Sequence, residues 1–224
     1  MSFAYSGDIV SSNANLGFMT EDRFIAAYDG VLKTDFMRYL GNYDIRWRIH
    51  TICWAAEHAL KFDGDFIDCG AGFGYFVSSI YSFTDFEKVN KKYYALDSFK
   101  GLSPAYHDRN TFSDYGDWYD KFFEHHGTKK NLEIVRGYVP DTLTKINSEK
   151  IAFLSVDLNS VQPEIDCLQH LWDRIVPGGI VVLDDYGFPG CEHQRASHNA
   201  FAASKSHFIL SMPTGQGVLI KGAK

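Results

Sequence analysis

The feature that most constrains the fold is a series of five short apolar runs separated by helix-sized intervals: "DFIDCG" (65–70), "YYALDS" (93–98), "LEIVRG" (132–137), "IAFLSVD" (151–157) and "IVVLDD" (180–185). Four of them are plainly β-like. Runs of this length, rich in β-branched and aromatic residues, read as strands buried on both faces, joined by crossover helices. Between the last two, Pro163 and Glu164 suit a helix start, and Ile165, Leu168, Leu171, Trp172 and Ile175 recur at helical spacing. Pro177-Gly178-Gly179 is expected to stop that helix and turn the chain into the next strand. Upstream, "DIRWRIHTICWAAEHAL" (44–60) places Ile45, Ile49, Cys53, Ala56 and Leu60 on one helical face. Near residue 210, "HFILSM" and "GVLIK" flank "PTGQ" as an antiparallel hairpin. The expected fold class is α/β, a Rossmann-like doubly wound, mostly parallel sheet with an antiparallel C-terminal hairpin. Residues 1–43 read as an N-terminal arm or lid and 44–224 as one domain, without repeats or low-complexity linkers.

A chain of 224 residues with 45% apolar and 22% charged residues is globular. Its net charge of −6 and lack of a basic block argue against nucleic acid as a partner. Cys53, Cys69, Cys167 and Cys191 have no CxxC spacing, which argues against a disulfide framework or a zinc site. No apolar run approaches the ~20 residues of a spanning helix, and the first residues lack the pattern of a signal peptide. The expected location is the cytoplasm.

Two strand ends carry chemistry. After the first strand, "FIDCGAGFGYF" supplies Gly70, Gly72 and Gly74 in an acid-first pattern beginning at Asp68. Glycines there permit positive φ and a close approach of ligand to backbone. An acid at the loop mouth suits a cationic ligand, such as the amino-acid end of S-adenosylmethionine, better than a pyrophosphate. A plain tight turn is the alternative. Asp97 closes the second strand where a carboxylate can accept hydrogen bonds from ribose hydroxyls, although it could equally cap the turn before Phe99-Lys100-Gly101. Ser98, Gly137 and Tyr138 complete the expected cofactor set.

The second constellation is Asp157 after the fourth strand and Asp184-Asp185 after the fifth. Neighbouring parallel strands open on one crevice, where three carboxylates would repel unless a hard divalent cation such as Mg²⁺ joins them. Each acid alone could merely cap a helix. Asn159 and Tyr186 are expected on the substrate side.

The motifs "GDFIDCGAGFG", "YALDSFKGL", "VRGYVPDTL", "VDLNSVQPE", "WDRIVPGGIVVLDDYGFPG" and "MPTGQGVLIK" resemble the cation-dependent sugar O-methyltransferases related to macrocin O-methyltransferase and the novobiocin-type enzymes. The resemblance runs from about Asp44 to Lys221 in unbroken order. It implies S-adenosylmethionine as cofactor, Mg²⁺ on Asp157, Asp184 and Asp185, and a sugar or glycoside acceptor, in natural-product or surface-polysaccharide biosynthesis. Many relatives carry a second acid where this chain has Asn159, and a subgroup associated with surface-polysaccharide genes is closer to the "DLNS…PE" form.

The implied reaction is methyl transfer to a hydroxyl, with the metal fixing the acceptor oxygen. Asp157 is the first candidate for general base and His193 the second. The aromatic stretch "YGDWYDKFFEHH" (115–126), and Arg46, Trp47 and Arg48 on the first helix, fit packing or self-association better than carbohydrate binding. An N-terminal arm of this sort can cover an active site or reach a second subunit, which makes a homodimer an expectation. The rivals are an NAD(P)-dependent oxidoreductase, which leaves the three acids unexplained, and a catalytically silent ligand-binding subunit of the same fold.

Overall fold

The computed structural model describes residues 5–35, 43–103, 105 and 117–223. Residues 1–4 and 36–42 of the expected arm, and 115 and 116 of the aromatic stretch, lie outside them. Residues 5–12 form a two-stranded hairpin, β1 (Tyr5–Gly7) and β2 (Val10–Ser12), followed by α1 (Asp22–Leu32) and α2 (Arg46–Ala59). α1 buries Phe24, Ala27 and Val31 in the same cluster as α2.

The central sheet has seven strands. Five are parallel: β3 (Asp65–Cys69), β4 (Tyr93–Asp97), β5 (Leu132–Arg136), β6 (Ile151–Val156) and β7 (Ile175–Leu183). β8 (Leu210–Ser211) and β9 (Gly217–Ile220) add the antiparallel hairpin, giving the order β5-β4-β3-β6-β7-β9-β8. From β3 the chain moves outward to β5, then returns to the other side at β6. The order therefore reverses between β3 and β6, the place where open α/β sheets bind ligands.

Period-two alternation divides the core into two clusters. Phe66, Phe153, Ile180 and Val182 face one layer with α1, α2 and α3 (Tyr75–Thr84). Ile67, Cys69, Leu154, Val156, Val181 and Leu183 face the other, with α5 (Val161–Leu171) and α6 (Glu192–Ser204). The short helix α4 (Tyr119–His126) joins the first layer through Phe122.

Two sequence expectations are corrected. The helix before β7 starts at Val161, two residues ahead of Pro163, and ends with a tighter turn at Trp172–Arg174. Pro177-Gly178-Gly179 is not a stop but lies inside β7, where the register with β6 shifts. Gly178 has φ +85°, and any Cβ there would enter the Phe62 ring. The punctuation was real, but it marks an irregularity in a strand.

Candidate active site at the carboxyl ends of the parallel strands

A cavity opens at the switch point. Gly70, Gly72, Asp97, Ser98, Gly137, Tyr138, Asp157 and Asn159 line it, together with Phe73, Tyr75, Leu102, Trp118, Val139 and Pro163. Most of the expected cofactor residues therefore share one space. Asp68 and Gly74 are not among its lining residues, nor are Asp184, Asp185, Tyr186 and His193.

The glycine loop divides its work. At Gly70, with φ +94°, a Cβ would enter the backbone carbonyl of Asp157, so glycine is what lets the ends of β3 and β6 approach. Gly74 caps α3 in a left-handed conformation, and a Cβ there would meet His126 and Phe122. Gly72 alone has open space on its Cβ side, and it faces the cavity. Its N–H donates to Asp97 Oδ2 at 2.8 Å, and the Phe99 N–H donates to Asp97 Oδ1 at 2.6 Å. Each carboxylate oxygen keeps a further lone pair for a ligand hydroxyl. Trp118, stacked on Phe73, donates its indole N–H to the Gly72 carbonyl at 2.9 Å.

Asp68 is placed differently from the expectation of an acid at the loop mouth. It is fully buried on β3, where the Tyr93 hydroxyl donates to Oδ2 at 3.1 Å and Oδ1 has no hydrogen-bond partner among the described residues. Burial pushes its carboxyl up to about 7.

Asp157 sits at the cavity wall, partly buried. The Tyr75 hydroxyl donates to its Oδ2 at 2.9 Å, and the Asn159 amide to its Oδ1 at 3.0 Å. Burial, reinforced by the like charges of Asp184 and Asp185, holds its carboxyl well above the usual range. Asp184 continues the β7 ladder through its N–H to the Val156 carbonyl, which turns its side chain to the face covered by α2. There it pairs with Arg48 and accepts Gln216 Nε2 on Oδ1 at 3.0 Å. Among the described residues, no group of three or more His, Cys, Asp or Glu side chains is arranged to hold a metal ion. The expected three-acid set does not fit Mg²⁺ as one ligand sphere, because Asp184 is engaged by Arg48 and Gln216.

Tyr186 is buried away from the cavity, its hydroxyl on Asn199 Oδ1 at 2.8 Å and its ring stacked on His198. His193 is exposed on the first turn of α6. Sequence reasoning missed four participants: Arg48, Tyr75, Trp118 and Gln216. For Arg48 a signal existed, since it lies three residues after Ile45 and just before Ile49, on the apolar side of its helix. A cation there has to find a buried anion.

The profile of the macrocin-O-methyltransferase (TylF) family matches residues 47–206. Over 60 residues the chain is 33% identical to the mycinamicin III 3''-O-methyltransferase of Micromonospora griseorubida, a match spanning 27% of this chain and 24% of that protein. Over 70 residues it is 30% identical to the 8-demethyl-8-(2,3-dimethoxy-alpha-L-rhamnosyl)-tetracenomycin-C 4'-O-methyltransferase of Streptomyces olivaceus, spanning 31% of this chain and 27% of that protein. These matches thus cover about a quarter of each curated relative's length. In fold, the calicheamicin methyltransferase CalS11 superposes with a TM-score of 0.63 at 12% identity, over 96% of this chain and 99% of that one.

Proposed function

The chain belongs to the macrocin-O-methyltransferase (TylF) family, and from that premise we propose that it moves the methyl group of S-adenosylmethionine to a hydroxyl of a sugar or glycosylated small molecule. The setting we assign is natural-product or surface-polysaccharide biosynthesis. The observation that carries the reading is one cavity joining a nucleoside-binding edge to a carboxylate. Asp97, fixed by two backbone N–H groups, offers acceptors to the ribose hydroxyls. Tyr138, Val139 and Leu102 supply apolar surface for the adenine, and Gly72 lets the cofactor lie against backbone.

Asp157 stands where the methyl group would be handed over. In the step, the acceptor oxygen forms its bond to the methyl carbon, the S–CH₃ bond breaks, and the hydroxyl proton passes to the Asp157 carboxylate. Its elevated proton affinity suits that role. A sulfonium bound beside it favours the ionised form beforehand, and the hydrogen bonds from Tyr75 and Asn159 fix the orientation of the carboxylate. No step is assigned to a divalent ion, because the donor set predicted for it is not arranged as one. The exposed His193 has no role in this reading.

The test is mass-spectrometric screening of sugars, sugar nucleotides and glycosides incubated with the chain and S-adenosylmethionine, reading the added methyl group. Calorimetry with S-adenosylhomocysteine and NAD(H) accompanies it. Binding of NAD(H) with no binding of S-adenosylhomocysteine would sink the reading.

A further inference from the structure

Arg48 is the one strong cation that the acid-rich strand ends meet inside the described fold, and nothing in the methyl-transfer reading uses it. It projects from the first turn of α2 and is almost wholly buried. Its Nε donates to Asp8 Oδ2 at 3.0 Å, Nη1 pairs with the Asp184 carboxylate, and Nη2 donates to the Thr214 carbonyl at 3.3 Å. The Phe188 ring lies 5.7 Å from the guanidinium carbon. Donors on all three nitrogens are thus engaged, and the group is held by three separate parts of the chain. It is not a surface arginine swung in by chance.

We propose that Arg48 is the resident counter-cation of Asp184, standing in the charge balance of this site where the sequence alone calls for a divalent ion. Three observations carry it. Gln216 takes the other oxygen of Asp184, so each carboxylate oxygen already accepts from a protein donor. Leu183, the last residue of β7, points to the opposite layer, and Asp184 just beyond it faces α2, from which Arg48 reaches it. A metal ion on Asp184 would also have to sit beside a fixed positive charge that cannot lose its proton. The same guanidinium draws in Asp8, so the hairpin of β1 and β2 is tied to the strand ends by the counter-cation. The assignment of catalysis to this site rests on the methyl-transfer reading. The charge assignment does not.

The experiment is a Mn²⁺ titration of the chelator-treated full chain, with free Mn²⁺ read by electron paramagnetic resonance. Asp184→Asn should leave Mn²⁺ affinity within about threefold of the parent, or neither should show a saturable site. Arg48→Met should gain a site or tighten an existing one by about tenfold or more, a typical scale for changes around a metal ligand. The gain should vanish in Arg48→Met/Asp184→Asn. A parent that holds Mn²⁺ stoichiometrically and loses about tenfold or more in Asp184→Asn overturns the proposal. That comparison decides the matter even where Arg48→Met fails to fold. None of these readouts needs an acceptor sugar, so a chain that methylates nothing still gives an answer here.

Discussion

Asp68 is a buried carboxyl group with one oxygen on a tyrosine hydroxyl and the other without a hydrogen-bond partner among the described residues. Its folded-state value of about 7 exceeds the ordinary carboxylate value. Between roughly pH 4 and 7, the folded chain therefore keeps a proton that the unfolded chain has released. Stability from this group is complete at low pH, falls as pH rises through that window, and is lost above it, by up to about 4 kcal/mol. Asp68→Asn should flatten that fall, so that in urea titrations the variant gains on the parent at pH 8 relative to pH 5. Equal pH slopes for the two proteins would refute it. Asp157 is expected to answer differently. Asp157→Asn should cut the rate of methyl transfer by about 10²–10⁴-fold while calorimetric affinity for S-adenosylhomocysteine changes little. A variant keeping full rate would remove Asp157 as the base.

At the scale of elements, the Pro177-Gly178-Gly179 segment shows what sequence patterns conceal. Gly178→Ala should destabilise the fold by about 1–3 kcal/mol, through both its positive φ and the Phe62 ring, measured by chemical denaturation. A neutral result would mean that β7 relaxes there at no cost. Four of the parallel strands were legible because they are apolar on both faces, while β5, at the sheet edge, carries Glu133 and Arg136 and is only half-buried; the acids at the strand ends follow from where those strands stop. The bulge was not, because Pro and Gly announce a break without saying whether a helix ends or a strand bends. Gly70 lines the cavity as expected, yet its lack of a side chain also answers to Asp157, and that of Gly74 to His126, contacts distant in sequence. The pairing of Arg48 with Asp184 spans 136 positions. It depends on which layer the parity of β7 assigns to that acid, and this becomes readable only when the sheet order is known.

For the molecule as a whole, the cavity at the switch point should make stability depend on the cofactor. At a concentration 100 times its Kd, S-adenosylhomocysteine should raise the unfolding free energy by about 2.7 kcal/mol, visible as a higher Tm, whereas NAD(H) should leave it unchanged. A shift with NAD(H) alone would point to a different ligand class for the cleft.

The ring of contacts around Arg48 also sets an order of events during synthesis. Asp8 and Arg48 leave the ribosome early, while Asp184, Thr214 and Gln216 follow 136 or more residues after Arg48. Until those last segments emerge, the nascent chain carries a guanidinium with only one of its acids available, and β7 has no antiparallel neighbour. The centre is thus closed only by segments that follow every parallel strand in the chain, and a chain truncated before Gln216 would hold the parallel strands without a finished centre.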